Sequence, residues 1–307
     1  MKHLRIFATE SDYSLYLVSN DFVKPHVAFI EETEDYKYFP YTPIALCDIA
    51  YWSGTKVETI KLADYNTSLG PVVGVVVIPE GFAPDGKVRI VGLKSVDSNG
   101  NMVDTPQYIM WENNASNIDT PLTNFQRVPV TDNTSYNANG FNAHGYLPSD
   151  NFTGVTSFSD RKVRYAKTEY LIPSPYLSSM PNPDYYKKID GNNVLSDFNG
   201  FSNTQTLVGL GNNYEAANAA WKYNDGTNSN LQWYLPAMAE LSYLMIRINE
   251  INTALTAVGG VGIGLSNAYW SSSEFIGFAA YCLSTGDGYA GGGNKDSAHW
   301  IRPFACI

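Results

Sequence analysis

Seven residues, Val72-Val73-Gly74-Val75-Val76-Val77-Ile78, run without a polar side chain and stop at Pro79 and Gly81. A short apolar run of β-branched residues, halted by turn formers, reads as a buried strand. Such a strand needs a core around it, so this chain must build a packed domain about its first quarter. The flanking sequence supplies neighbours. IALCDIAYW at 44–52 leads through a turn at Ser53-Gly54 to KVETIKLA, and KVRIVGLKSVD at 87–97 predicts a further strand that ends in the turn Asp97-Ser98-Asn99-Gly100.

The register differs before residue 43. Residues 1–42 alternate apolar and polar in short runs (LRIFA, HVAFIEE, YKYFPY), which predicts a small N-terminal β module with turns near Ser19-Asn20-Asp21 and Glu34-Asp35. Residues 43–307 form the second, larger domain. Within it, about 111–205 is a loop-rich insertion loaded with Asn, Ser, Pro and Gly, because these residues bond to local backbone or punctuate regular elements. Two helices are expected after it. Tyr214–Tyr223 is rich in Ala, with Asn212 or Asn213 placed to cap it. Met238, Leu241, Leu244, Ile248, Ile251 and Leu255 then recur at spacings of three and four, between Pro236 in the first turn and Gly259-Gly260 at the end.

At 307 residues the chain suits one large domain with a small appendage. Its 30 acidic against 20 basic residues give a net charge of −10, which argues against the basic stripe that nucleic acid requires. The excess lies in 22 Tyr, 25 Gly and 28 Asn: rigid amphipathic rings and uncharged hydrogen-bonding groups, closer to the composition of a binding surface than of a catalytic centre. No stretch approaches the roughly 20 apolar residues of a spanning helix, and the start MKHLRIFATESDYSLYL lacks the apolar core of a secretion signal. The expectation is a protein not inserted in a membrane, which either leaves the cell as part of a larger particle or has a secretion signal that this sequence lacks.

Four blocks in the larger domain carry a family resemblance. They are Asp48–Gly54 with Pro71–Val76, Trp233-Tyr234-Leu235-Pro236-Ala237-Met238-Ala239-Glu240-Leu241, Tyr269-Trp270-Ser271-Ser272-Ser273-Glu274, and Trp300-Ile301-Arg302-Pro303-Phe304. In this order they resemble the C-terminal domain of collagen-like bacterial adhesins, a branch of the C-type-lectin-like fold shared with formylglycine-generating enzymes. The resemblance implies an α+β class. It also implies a structural framework of Trp233, Pro236, Glu240, Trp270, Glu274, Trp300 and Arg302, with Arg302 paired to Glu274 or Glu240.

Between two framework blocks lies FIGFAAYCLSTGDGYAGGGNKDSAH, residues 275–299, with little periodicity of its own. It resembles the variable segment of proteins diversified by a diversity-generating retroelement, in which adenines of Asn codons are rewritten. Such rewriting does not produce Trp, Glu, Gln, Met or Lys. Residues 276–299 hold none of the first four and a single Lys, Lys295. The resemblance implies a ligand-binding face made of Ile276, Gly277, Phe278, Cys282, Ser284, Asp287, Tyr289, Asn294, Asp296, Ser297 and His299. It further implies a receptor-binding protein of a phage tail tip, carried on the virion and often trimeric, that recognises a cell-surface protein or glycan. The alternatives are a bacterial surface adhesin and, in another class, a formylglycine-generating-enzyme-like oxidase.

Catalysis and metals find less in the residues. Cys282 and Cys306 are too far apart to match the oxidase's closely spaced pair, and Cys47, Cys282 and Cys306 fix no disulfide. Ser271-Ser272-Ser273 lacks a nucleophile elbow. His3, His26, His144 and His299 lack the spacing of a metal site. Trp111-Glu112-Asn113-Asn114, Asn182-Pro183-Asp184 and Asp190-Gly191-Asn192-Asn193 are only faint echoes of calcium motifs. No catalytic residue, metal or cofactor is expected.

Overall fold

A computed structural model describes residues 3–7, 26–30, 35–39, 44–80, 82–113, 122, 145–146, 197–264, 267–285 and 289–307. The chain divides into two compact units, Met1–Pro43 and Ile44–Ile307. In the first, β1 (His3–Phe7), β2 (His26–Ile30) and β3 (Asp35–Phe39) form one sheet with β2 central, parallel to β1 and antiparallel to β3.

The second unit is organised by the apolar run. It forms β6 (Val72–Ile78), with every residue buried. Around it assemble β4 (Ile49–Trp52), β5 (Val57–Ile60), β7 (Arg89–Gly92), β12 (Trp233–Tyr234) and β17 (Phe304–Cys306). The order across this sheet is β12-β17-β7-β6-β4-β5, and all five pairings are antiparallel. Successive side chains point to opposite faces, so Val75 and Val77 enter one core while Val76 enters another; Val73 joins Val76 because the register with β4 shifts between Gly74 and Val72. Gly74 permits the close approach of β7, since a Cβ there would lie 2.6 Å from the Val91 carbonyl oxygen. The expected strand at 87–97 is interrupted: after β7 the chain turns into the short hairpin β8 (Ser95–Val96) and β9 (Met102–Val103). Gly100, at φ +92°, and Asp97, whose Oδ1 accepts from the Asn99 and Asn101 amides, make its turn.

Helices close both faces. The first core takes α3 (Met238–Ile246) and α4 (Ile248–Ala257), the second α1 (Gly200–Leu210) and α2 (Glu215–Trp221). The single long helix expected over 236–258 is broken at Arg247, whose φ −120° and ψ 28° leave the helical region. Met238 through Met245 are buried all round, whereas α4 buries only Ile248, Ile251, Ala254 and Leu255. One straight axis could not serve both environments. The start of α2 also differs from expectation, because Tyr214 and not an asparagine occupies its N-cap.

A second antiparallel sheet, in the order β11-β15-β14-β13, comprises β11 (Gly145–Tyr146), β13 (Ala268–Ile276), β14 (Ala279–Ser284) and β15 (Tyr289–Asn294). Beside it β10 (Ile109–Met110) pairs with β16 (Ala298–His299). The expected α+β, C-type-lectin-like class is therefore corrected. Among the described residues every strand pairing between elements of the larger unit is antiparallel, and the α-helices are four segments of 7 to 11 residues laid on a mainly β body. The blocks that suggested the class are packing motifs: Trp233, Trp270, Ile301 and Phe304 are buried. A helix on a sheet demands large apolar residues at such places whatever its class. Most of the 111–205 insertion lies outside the described residues.

Candidate functional site

The segment singled out by sequence is a hairpin, β13-β14-β15, with its turns at opposite ends. One end carries Gly277 and Phe278, followed across the sheet by the turn after Asn294. The other carries Ser284 and Tyr289. β14 has six residues, so the two ends stand about 17 Å apart. The expected single face is thus split into two patches.

The Phe278 end is the better defined. The Lys295 amide donates to the Phe278 carbonyl at 3.0 Å, and the Ser297 amide donates to the Asn294 carbonyl at 2.9 Å, which holds the two turns side by side. Phe278 is 49% exposed, and Asn294 and Asp296 are exposed beside the half-buried Ser297. An exposed ring among small polar groups is how recognition surfaces combine contact area with hydrogen bonding. Ile276 ends β13 and Tyr289 begins β15, while Asp287 lies outside the described residues.

Two of the expected binding residues are placed otherwise. Cys282 is 7% exposed and stands opposite Trp270 in the β13–β14 register, its thiol directed at the Gly291 carbonyl. It belongs to the core and not to the face, because both sides of β14 are covered: Tyr281 and Leu283 enter one core, Ala280 and Cys282 the other. Burial pushes that thiol up to about 12, so it stays protonated, the unreactive form of cysteine. His299 is half-buried, its ring 4.3 Å from that of Trp270, and burial pulls its pKa below the usual imidazole value.

What sequence reasoning missed is the foundation under the Phe278 turn. Lys295 is wholly buried, with its ammonium 2.5 Å from Glu274 Oε1, 3.6 Å from Glu112 Oε2 and 4.9 Å from the centre of the Trp111 ring. Both carboxylates are buried as well. The faint calcium echo at Trp111-Glu112 is therefore part of a lysine cage. Glycines tighten the same place. A Cβ on Gly292 would sit 2.7 Å from the Phe275 ring, and one on Gly293 would sit 2.9 Å from both Trp270 and His299.

The framework residues also find partners the sequence did not foretell. Arg302 does not meet Glu274 or Glu240. It is buried and donates to the carbonyls of Gly92, Leu93 and Val261 at 2.7 to 3.0 Å. Glu240 instead receives Arg89 Nε at 2.8 Å, the Tyr234 hydroxyl at 3.0 Å and the Ala237 amide at 2.9 Å. The three serines are spoken for: Ser271 Oγ donates to the Tyr281 carbonyl, Ser273 Oγ donates to buried Asp197 at 2.6 Å, and Ser272 Oγ contacts Asn203. Trp300 is only partly buried, between Tyr108 and Tyr269.

Glu240 carries a pH consequence. Burial pushes its carboxyl up to about 7, although Arg89 and three hydrogen bonds pull the other way. The folded chain therefore holds this proton more tightly than the unfolded chain, whose carboxyl titrates near 4.5. The stability this proton contributes is full below pH 4.5 and lost as pH rises through about 7. Denaturant melts at pH 5 and pH 8 should show the wild type losing more stability across that interval than Glu240→Gln; equal losses would refute the assignment.

Among the described residues no group of three His, Cys, Asp or Glu side chains is placed to hold a metal ion, and the three cysteines are free. No helix among them is long and apolar enough to cross a membrane. No known family profile matches the chain, and no curated protein matches it. Among solved structures it is similar to a fimbrial protein from Bacteroides ovatus, with 14% identity over 86% of this chain and 49% of that one, at a TM-score of 0.43. The chain spans about half the length of that protein.

Proposed function

We propose that this protein is a recognition protein of adhesin type, which binds a cell-surface protein or glycan through the turns at the Phe278 end of the hairpin. The observation that carries the reading is the contrast between that exposed turn and the buried Lys295 cage immediately beneath it. A rigid base lets surface side chains change without unfolding what supports them. The same contrast supports diversification by a retroelement. Lys295 is the one residue type in 276–299 that rewriting of Asn codons does not supply, and among the described residues there it is the charged side chain that the core buries. Carriage on a phage tail or on a bacterial surface would both use such a face.

The test is a binding screen of the whole chain against immobilised glycans and extracted surface proteins, repeated with Phe278→Ser, Asn294→Ala and Asp296→Ala combined. The ring alone should account for about 2 kcal/mol, or about 30-fold in affinity. The triple variant should lose the wild-type hits while its melting temperature stays within about 2 °C, as expected for exposed positions. Hits that persist unchanged would place recognition elsewhere. At the level of the gene, a near-copy of the codons for 276–299, differing almost only at adenines and lying beside a reverse transcriptase gene, is expected. Differences spread over all four bases, or no copy, would remove the retroelement and leave the plain adhesin.

A further inference from the structure

A cleft of about 260 Å³ opens some distance in sequence from the hairpin, between the loop before β7 and the first turn of α1. It is smaller than the roughly 300–1,000 Å³ of sites for drug-sized ligands, which suits a single sugar ring. Asp85, Lys87, Arg89, Phe201, Ser202 and Gln232 line it.

The charges are unevenly committed. Arg89 is buried; its Nε donates to Glu240, its Nη1 to Asp85 and the Lys87 carbonyl, and its Nη2 to Asp85, which leaves one Nη2 hydrogen unused. The Asp85 carboxylate lies below its usual range because Arg89 clasps both oxygens, so it stays ionised and is neutralised in place. Lys87 is exposed, and Asp85 is the cleft carboxylate that its charge reaches. The cleft wall thus sets two cations, Lys87 and Arg89, against one carboxylate of its own, Asp85, while the second carboxylate on Arg89, Glu240, is buried and does not line the cleft. Its polar capacity is of the complementary kind. Gln232 spends both amide hydrogens on the Trp221 and Trp233 carbonyls, and Ser202 spends its hydroxyl hydrogen on the Asn199 carbonyl. With those hydrogens spent, both side-chain oxygens serve only as acceptors. Phe201 is 38% exposed, held edge-on by Tyr234, and offers an apolar ring between these groups.

We propose that this cleft binds an acidic monosaccharide of the uronic acid class. The sugar carboxylate lies at Lys87 and the free Arg89 hydrogen, its hydroxyls donate to Gln232 and Ser202, and its C–H face rests on Phe201. Charge-assisted bonds to the carboxylate supply discrimination, since a neutral sugar leaves the cation unanswered.

Saturation-transfer NMR and calorimetry on the full chain with glucuronate, galacturonate, glucose, acetate and inorganic phosphate test it. At least one uronate should bind at least 10-fold more tightly than glucose, acetate or phosphate. Lys87→Ala should weaken that binding at least 10-fold with an unchanged melt, because the side chain is exposed, and Phe201→Ser should weaken it independently. Equal binding of glucose would overturn the role of the cation. Acetate or phosphate binding as tightly as the uronates would reduce the cleft to a plain anion site and overturn the sugar. No uronate binding, or binding indifferent to both variants, would overturn the proposal while leaving the hairpin reading untouched.

Discussion

Replacing Lys295 with Met should destabilise the larger unit by about 3–5 kcal/mol, because Glu274 and Glu112 would remain buried without their cation. The loss comes from uncompensated charge and not from lost packing, since Met fills similar volume. Two further replacements distinguish these causes. Adding Glu274→Gln and Glu112→Gln to Lys295→Met removes every charge from the cage and should restore most of the stability. Urea melts followed by far-ultraviolet circular dichroism would read both steps. A single variant that melts like the wild type, or a triple variant no better than the single, would show that the ammonium does not anchor the hairpin.

Trp270→Ala should cost a similar amount, about 3–5 kcal/mol, through the cavity left by a wholly buried indole. Its Nε1 also donates to the Ile109 carbonyl at 2.9 Å, and that carbonyl would be left unanswered. Trp300→Ala should cost distinctly less. The sequence suggests equal importance for the two rings, but Trp300 is only partly buried and forms a bracket between Tyr108 and Tyr269. Thermal melts of the two variants side by side would check the ranking, and a larger loss at Trp300 would reverse it.

These residues show what one sequence makes legible. Val72–Ile78 announces itself because an apolar β-branched run between turn formers has few other uses, and the structure buries all seven of its residues. The turns at Ser53-Gly54 and Asp97–Gly100 are equally local, and Gly54 and Gly100 take the positive φ that their identities suggest. The helix α1 was less visible. Its buried residues are Gly200, Asn203, Thr204 and Leu207, a face with one large apolar side chain, while Phe201 and Leu210 stay partly exposed. Periodicity of hydrophobicity cannot find a helix that buries its polar side.

The harder failures are non-local. Arg89 and Glu240 are 151 positions apart, Glu112 joins Lys295 from a different strand region, and nothing in a linear reading pairs charges across such distances. A lysine within a glycine-rich stretch reads as a solvated residue, and only the fold reveals that it is interior. The framework blocks mark buried positions well, yet they overreach as a guide to class. Tryptophans, prolines and serines that brace a helix against a strand serve many architectures. Cys282 teaches the same lesson on a smaller scale, since β14, once placed, is covered on both faces and keeps the thiol in the core, away from Phe278 and Asn294.

The glycines of β15 set a limit on how this surface can evolve or be engineered. Where a Cβ at Gly292 or Gly293 would strike an aromatic ring, a randomised codon mostly yields chains that do not fold. A display library built on this protein should therefore hold Gly292, Gly293 and Lys295 constant and spend its diversity at Gly277, Phe278, Asn294, Asp296 and Ser297. Five positions under free choice give on the order of millions of sequences on one unaltered support, each testable without rescuing its fold.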